Sequence, residues 1–229
     1  MDTTTYPTKI HEASQKGDTD FLQLYLRTKR SGKVEARIVE LSLESGHPHV
    51  VDLFVNRKNT HPNIIQLALS WSITHQKQWV KHFVALGGAM EDPTQMLKLA
   101  IKTPNTAAID VLLPHVSAGS SEILCAAVRT SDVDIVRKVL PICNPKEQCS
   151  AALQEAVAFQ NQEIFDILYP LSTPQEAWDS IRKDSWFDAR QRTMIKSRLD
   201  IDRQKLKLEK AVHSGLEKLT VPALKAKKI

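Results

Sequence analysis

The stretch Val139–Tyr169, VLPICNPKEQCSAALQEAVAFQNQEIFDILY, decides how the whole chain is read. It spells turn, helix, tight turn, helix, turn. Asn144 is suited to accept from the free amides of a helix start, and Pro145 fits the first helical position. Glu147 stands three residues after Asn144, as a capping box requires. Ala151, Ala152, Leu153, Ala156 and Val157 then supply small apolar side chains that let two helices approach closely. Asn161 breaks the run and can cap the next helix. Ile164, Phe165, Ile167 and Leu168 give that helix an apolar face at helical spacing, and Pro170 ends it.

The same pattern recurs along the chain. Aligned on the small residue in the middle of the first helix, it falls at Ala13, Ser42, Ala68, Ala100, Ala127 and Ala156, with extra residues in the third copy around Ile73–Gln78. The turn before the second helix carries Asp18, His47, Asn105, Asp132 and Asn161, mostly good helix caps. The second helices end in Tyr25-Leu26, Phe54-Val55, Phe83-Val84, Leu112-Leu113, Val139-Leu140 and Leu168-Tyr169. Registers that agree at three separate places predict about six helix-turn-helix units stacked in one direction, each touching its neighbours.

Two copies carry a family signature: Ile10-His11-Glu12-Ala13-Ser14-Gln15-Lys16-Gly17-Asp18, and Glu44-Ser45-Gly46-His47 followed by Val50-Val51-Asp52-Leu53. These resemble the ankyrin repeat, with its leucine-histidine-x-alanine-alanine helix, glycine-histidine turn and valine-valine-x-leucine-leucine helix. The proline-containing links, Pro141-Ile142-Cys143-Asn144-Pro145-Lys146 and Leu171-Ser172-Thr173-Pro174-Gln175, resemble the shorter bacterial and phage form. The resemblance covers Thr8 to Ser180. It implies an all-α, ankyrin-like α-solenoid with reduced β-hairpin fingers, since the links are shorter than a standard repeat of roughly 33 residues needs. Gly17 and Gly46 have no glycine counterpart in later units, where Pro104, Ser131 and Gln160 stand.

The resemblance also implies a function. Ankyrin proteins bind partners through a concave groove lined by the ends of the first helices. Here that row is Gln15/Lys16, Glu44/Ser45, Ser70/Trp71, Lys102/Thr103, Arg129/Thr130 and Ala158/Phe159. Lys16, Glu44, Ser70, Trp71, Lys102, Thr103, Arg129 and Phe159 are therefore the candidate partner-binding residues. Aromatic residues and arginine dominate interface hot spots, which puts weight on Trp71, Phe159 and Arg129. The competing reading packs Trp71 on its own unit and Phe159 on the C-terminal cap. Trp79 falls in the apolar row of a second helix and reads as core. A bacterial or phage effector or inhibitor, capturing or masking a larger protein, is what the resemblance implies.

Past Tyr169 the pattern changes. Thr173-Pro174-Gln175-Glu176 spells a capping box and starts a helix. Trp178 and Ile181 can bury against the sixth unit, and Trp186 and Phe187 follow a break. Residues 1–172 thus form the repeat stack, and 173–229 a degenerate repeat, a helical C-terminal cap and a basic tail. From about Ala189 a long polar helix is expected, with Leu208, Val212, Leu216 and Leu219 on one face. That stripe is expected to pack on the repeats, and Pro222–Ile229 to be disordered. The chain carries a net charge of +5. Ten Lys and Arg against four acids lie from Lys196 onward, so the basic character belongs to the tail. A basic helix of this kind can meet nucleic acid, acidic protein or an anionic membrane surface, and binding nucleic acid or an anionic surface is the alternative function.

Composition excludes other classes. The hydrophobic content of 42% is that of an ordinary globular chain, and an aromatic content of only 6% suits small-residue helix packing. Three cysteines, Cys125, Cys143 and Cys149, are too few and odd in number for a disulfide framework and point to a reducing compartment. No apolar run approaches the roughly 20 residues of a membrane span, and the polar N-terminus lacks the order of a signal peptide. The expected location is cytoplasmic, a host cytoplasm if the protein is secreted, and the expected state a monomer. His47-Pro48-His49 reads as a helix start rather than a metal site. Asp110, Asp132 and Asp134 read as caps and solvated charge rather than an acid–base pair. No nucleophile with a positioned base, glycine-rich phosphate loop or paired-cysteine motif appears. The expectation is a non-enzyme without metal or cofactor.

Overall fold

A computed structural model describes residues 5–28, 32–55, 64–87, 92–117, 121–143 and 145–225, with side chains as far as His213. No strand occurs among the described residues. The helices are α1 (Thr5–Lys16), α2 (Thr19–Thr28), α3 (Gly32–Glu44), α4 (Asp52–Val55), α5 (Ile64–Thr74), α6 (Val80–Ala85), α7 (Pro93–Lys102), α8 (Thr106–Leu112), α9 (Ser121–Arg129), α10 (Val133–Val139), α11 (Pro145–Ala158), α12 (Gln162–Leu168), α13 (Pro174–Ile181) and α14 (Ala189–Lys225). The links where β-hairpin fingers would stand, and the Asn144 cap, lie largely outside the described residues.

The pairs share one turn. Each first helix ends in a residue with left-handed backbone, at φ 66° for Gly17, 88° for Gly46, 52° for Gln76, 58° for Ser131 and 52° for Gln160. Pro104 stands at the corresponding place in the fourth pair. One residue later a backbone amide reaches back five positions: Asp18 to the Ala13 carbonyl (2.9 Å), His47 to Ser42 (2.8 Å), Lys77 to Ser72 (2.9 Å), Asn105 to Ala100 (2.9 Å) and Asn161 to Ala156 (3.0 Å). This is the Schellman closure of a helix C-terminus. In the fifth pair a hydroxyl relays it: the Asp132 amide donates to Thr130 Oγ1 (3.2 Å), and that hydroxyl donates to the Ala127 carbonyl (2.7 Å).

The shared turn corrects the sequence register. Ser72, not Ala68, stands in the third pair where Ala13, Ser42, Ala100 and Ala156 stand in theirs. The repeat interval is then 27 to 30 residues throughout, and the inserted residues expected around Ile73–Gln78 vanish. Ser72 is fully buried, with its hydroxyl donated to the Ala68 carbonyl at 2.9 Å. A satisfied buried serine substitutes for alanine at this contact.

The described chain divides into two units, Met1–Gly119 with Arg137–Ile142, and Ser120–Val136 with Cys143–Ile229. In the first, α1, α3, α5 and α7 pack successively, and α6 packs on α8. Ala13, Ser42, Ser72 and Ala100 are buried along these contacts, and the Ser42 hydroxyl donates across to the Ser14 carbonyl at 3.1 Å. Phe54, Phe83 and Leu112 are buried at the ends of the second helices, as the sequence predicts.

In the second unit α9, α11 and α13 pack successively, α12 covers α11, and α14 lies on α11 and α13. Ala177, Ile181 and Ile195 are buried, while Trp178 is half-buried. The α-helix α12 stops at Leu168 but is followed by a single 3-10 turn, Tyr169–Leu171, that contains Pro170. Pro170 therefore sits inside a new turn rather than ending the pair. A proline tolerates the first positions of such a turn, where its missing amide is not needed. The helix after Thr173 starts at Pro174 as expected, but without the capping box. The Thr173 hydroxyl donates to the Glu176 carboxylate (2.5 Å), and the Thr173 amide donates to the Ser150 hydroxyl (3.2 Å).

Candidate functional site

The first unit carries Lys16, Glu44, Ser70, Trp71, Lys102 and Thr103. Lys16, Glu44 and Lys102 are exposed, at or near the ends of α1, α3 and α7. The corrected register moves the third pair: Thr74 and His75 take the row positions, and Ser70 and Trp71 fall one helical turn earlier. Trp71 nonetheless reaches the row, because its ring stacks on His75 (centroids 4.0 Å apart, planes 19°). His75 Nδ1 lies 2.8 Å from the Trp71 carbonyl, which fixes the ring over the indole. Trp71 also stacks on Trp79 at 6.1 Å, and Lys77 Nζ lies 5.9 Å from the Trp79 ring. Trp79 precedes α6 and is half-buried rather than core. Trp71 thus packs on its own pair, and the result is a platform of two half-buried indoles and an exposed imidazole. The hydroxyls of Ser70 and Thr103 are spent internally, on the Leu67 carbonyl (2.9 Å) and the Leu99 carbonyl (3.0 Å).

The turns that present this row are tied pair to pair. Asn105 accepts from its own Ala108 amide (3.0 Å), capping α8, and donates its amide to the Ile73 carbonyl of the preceding pair (3.1 Å). Gln76 donates forward to the Thr103 carbonyl (3.2 Å). His47 lies against Gly17, where a Cβ would come within 2.7 Å of its ring.

In the second unit the row residues are Arg129 and Phe159. Arg129 is exposed and ion-paired with Glu155 of the next pair. Phe159, at the turn after α11, is 51% exposed rather than covered by the C-terminal helices. Trp186, in the turn before α14, is 91% exposed and was not singled out from sequence, where it reads as part of a cap. Asn161 repeats the Asn105 arrangement, accepting from Ile164 (3.1 Å) and reaching the Ser131 carbonyl (3.4 Å).

Helix α14 is held at its first half. The Gln191 amide donates to the Ala158 carbonyl (2.7 Å), Ile195 is buried, the Tyr169 hydroxyl donates to Asp202 Oδ2 (2.6 Å), and Arg203 donates to Gln175 (3.0 Å). Beyond that point every described residue, 203–213, is exposed. Leu208 and Val212, expected against the repeats, are 66% and 61% exposed. The reason is rotational. At 100° per residue Ile195 and Ile201 point about 120° apart, so the docked face and the Ile201–Leu208–Val212 stripe are different faces. Leu216 and Leu219 lie beyond the described side chains. The helix runs past Pro222 to Lys225, where disorder was expected. Between α12 and α14 an open groove of about 550 Å³ is lined by Phe165, Met194, Arg198 and Ile201, among others. The spacing of Ile201, Leu208 and Val212 is the signal for it in the sequence, and the stripe starts seven residues before the expected Leu208.

The cysteines and the Asp110 and Asp132 carboxylates lie outside the repeat row. Burial pushes the thiols of Cys125 and Cys143 up to about 11, and that of Cys149 up as well. Thiols held protonated are poor nucleophiles. Asp132 caps α10 through the Asp134 and Ile135 amides (2.9 and 3.2 Å), and Asp110 pairs with Lys138. Pro48, expected as the first residue of a second helix, opens a 3-10 turn that leads into α4. No group of three metal-ligating side chains occurs among the described residues, and no described helix is long and apolar enough to cross a membrane. Comparison with protein-family models, with curated proteins and with solved structures returned no match.

Proposed function

We propose that this chain is a non-catalytic protein-binding module built from ankyrin-like helix-turn-helix repeats. One observation carries the reading: the same turn recurs every 27 to 30 residues, closed by a five-residue back-bond in every pair but the fifth, while α1, α3, α5 and α7 pack in sequence order. Architectures of this kind present a row of equivalent surface positions, and side chains there vary freely because the fold does not need them. Lys16, Glu44, Trp71 with His75, and Lys102 supply that row in the first unit, and Arg129 and Phe159 in the second. Trp71 is its anchor, offering a rigid apolar face with little rotamer entropy left to lose.

The test is an affinity capture from candidate host lysates with wild type, Trp71→Ala, and a Lys16→Glu/Lys102→Glu pair, each checked for native helicity. A partner retained by wild type and lost with either variant supports the row. A partner captured equally by all three argues against it.

A further inference from the structure

We propose that α14 is a docking rail for an acidic amphipathic helix of another protein, seated along Met194, Ile201, Leu208 and Val212. The proposal does not rest on the repeat row.

Three features select this occupant. First, the stripe is narrow. Met194, Ile201, Leu208 and Val212 fall within about 40° of one another around the helix, roughly one apolar side chain per two turns. That is the width of a helix-pairing seam rather than of a membrane-lying face, which is broad and keeps its bulky residues clear of its charges. Second, basic residues lie on the seam itself. Arg190, Arg198 and Lys205 share its side, and all three are exposed. A second copy of α14 would set like charges against each other, whereas glutamates flanking a partner's seam would meet them. Third, the seam begins in the groove beside Phe165, so an apolar side chain of the partner helix has a pocket as well as a stripe. Two acids nearby keep their charge while each accepts one hydrogen bond: Asp166, in the groove lining, from Gln162 (3.2 Å), and Asp202 from Tyr169. Glu209 is the acid left at the seam's edge. The docked half of α14 fixes the rail's direction before binding, which lowers the ordering cost of association.

The experiment titrates the full chain, near physiological salt, into a labelled synthetic helix of about three heptads, with leucine at its seam and glutamate on both flanks. Its companions are the same peptide with lysine flanks, a scrambled peptide of identical composition, vesicles containing anionic phospholipid, and a short RNA. The variant is Leu208→Asp/Val212→Asp. Both positions are exposed, so the fold does not depend on them, and circular dichroism confirms it. The expected result is saturable binding of the glutamate-flanked helix, abolished by lysine flanks or scrambling and weakened roughly tenfold or more by the variant. Four results overturn the proposal: equal binding of the scrambled peptide, tighter binding to vesicles or RNA, self-association lost in the variant, or no saturable binding to the acidic helix.

Discussion

Gln160 sits at φ 52° with its side chain exposed. Left-handed backbone costs a residue with a Cβ about 1 kcal/mol relative to glycine. Gln160→Gly should therefore stabilise the chain by about 0.5–1 kcal/mol in chemical denaturation. The native glycines differ in the reverse experiment. A Cβ at Gly46 meets open space, whereas at Gly17 it comes within 2.7 Å of the His47 ring. Gly46→Ala should cost the backbone strain alone, about 1 kcal/mol, and Gly17→Ala clearly more. Equal losses at the two positions would contradict the packing of His47 on Gly17. Titration gives a second residue-scale expectation. Cys125 and Cys143 are raised from their ordinary 9.0 to about 11, chiefly by burial, with Glu155 adding at Cys125 and Cys149 at Cys143. Unfolded thiols lose their protons near pH 9, and folded ones keep them until about 11. Their contribution to stability is complete below pH 9 and falls away as pH rises through 11. Tyr169 is also raised above its ordinary 10.0, by burial and by donating to Asp202, and extends the fall. Unfolding free energy should decline over this window, and Cys125→Ala should flatten the decline without removing it.

At the scale of elements, the turn asparagine does two jobs. Asn105 caps α8 and also satisfies the Ile73 carbonyl of the pair before it, in a site only 7% exposed. Asp18 also caps, accepting from the Phe21 amide at 3.0 Å, but on the surface. Asn105→Ala should cost about 2 kcal/mol or more and Asp18→Ala about 1; thermal melts of the two variants decide it. This second job explains what the sequence could and could not tell. Helix caps at Asp18, Asn105, Asp132 and Asn161 are legible because their chemistry is local. The left-handed turn is legible only where glycine marks it, at Gly17 and Gly46. At Gln76 nothing in the residue type betrays it, so sequence alone aligns the third pair on Ala68, four residues early, and puts Trp71 where His75 stands. Serine at 72 hid the contact further, because a buried hydroxyl is acceptable only once its partner, the Ala68 carbonyl, is known. The Thr173–Glu176 box failed for a related reason: Ser150, distant in sequence, took the Thr173 amide first.

At the scale of the whole molecule, the decisive fact is where charge and exposed apolar surface end up. Periodicity identified a striped basic helix after Ala189, but periodicity says which residues share a face and not whether anything covers it. Coverage was decided by Ile195, Tyr169 and Asp202, which hold a different face of α14 and leave 203–213 exposed. The consequence can be measured by ending the chain at Arg203. That removes seven lysines against two glutamates from a chain of net charge +5, leaving a formal charge of zero. The full chain, with a pI near 9.1, should be retained on a cation exchanger at neutral pH, and the shortened one should flow through. Far-UV circular dichroism should lose the helix beyond residue 203. The melting temperature should shift by no more than about 2 °C, because no described side chain beyond Arg203 is buried and surface changes alter stability little. Arg203 itself must be kept, since it bonds Gln175. A melting point lowered by about 5 °C or more would mean that the outer half of α14 contributes to the fold, and the rail would then have to be read as part of the cap.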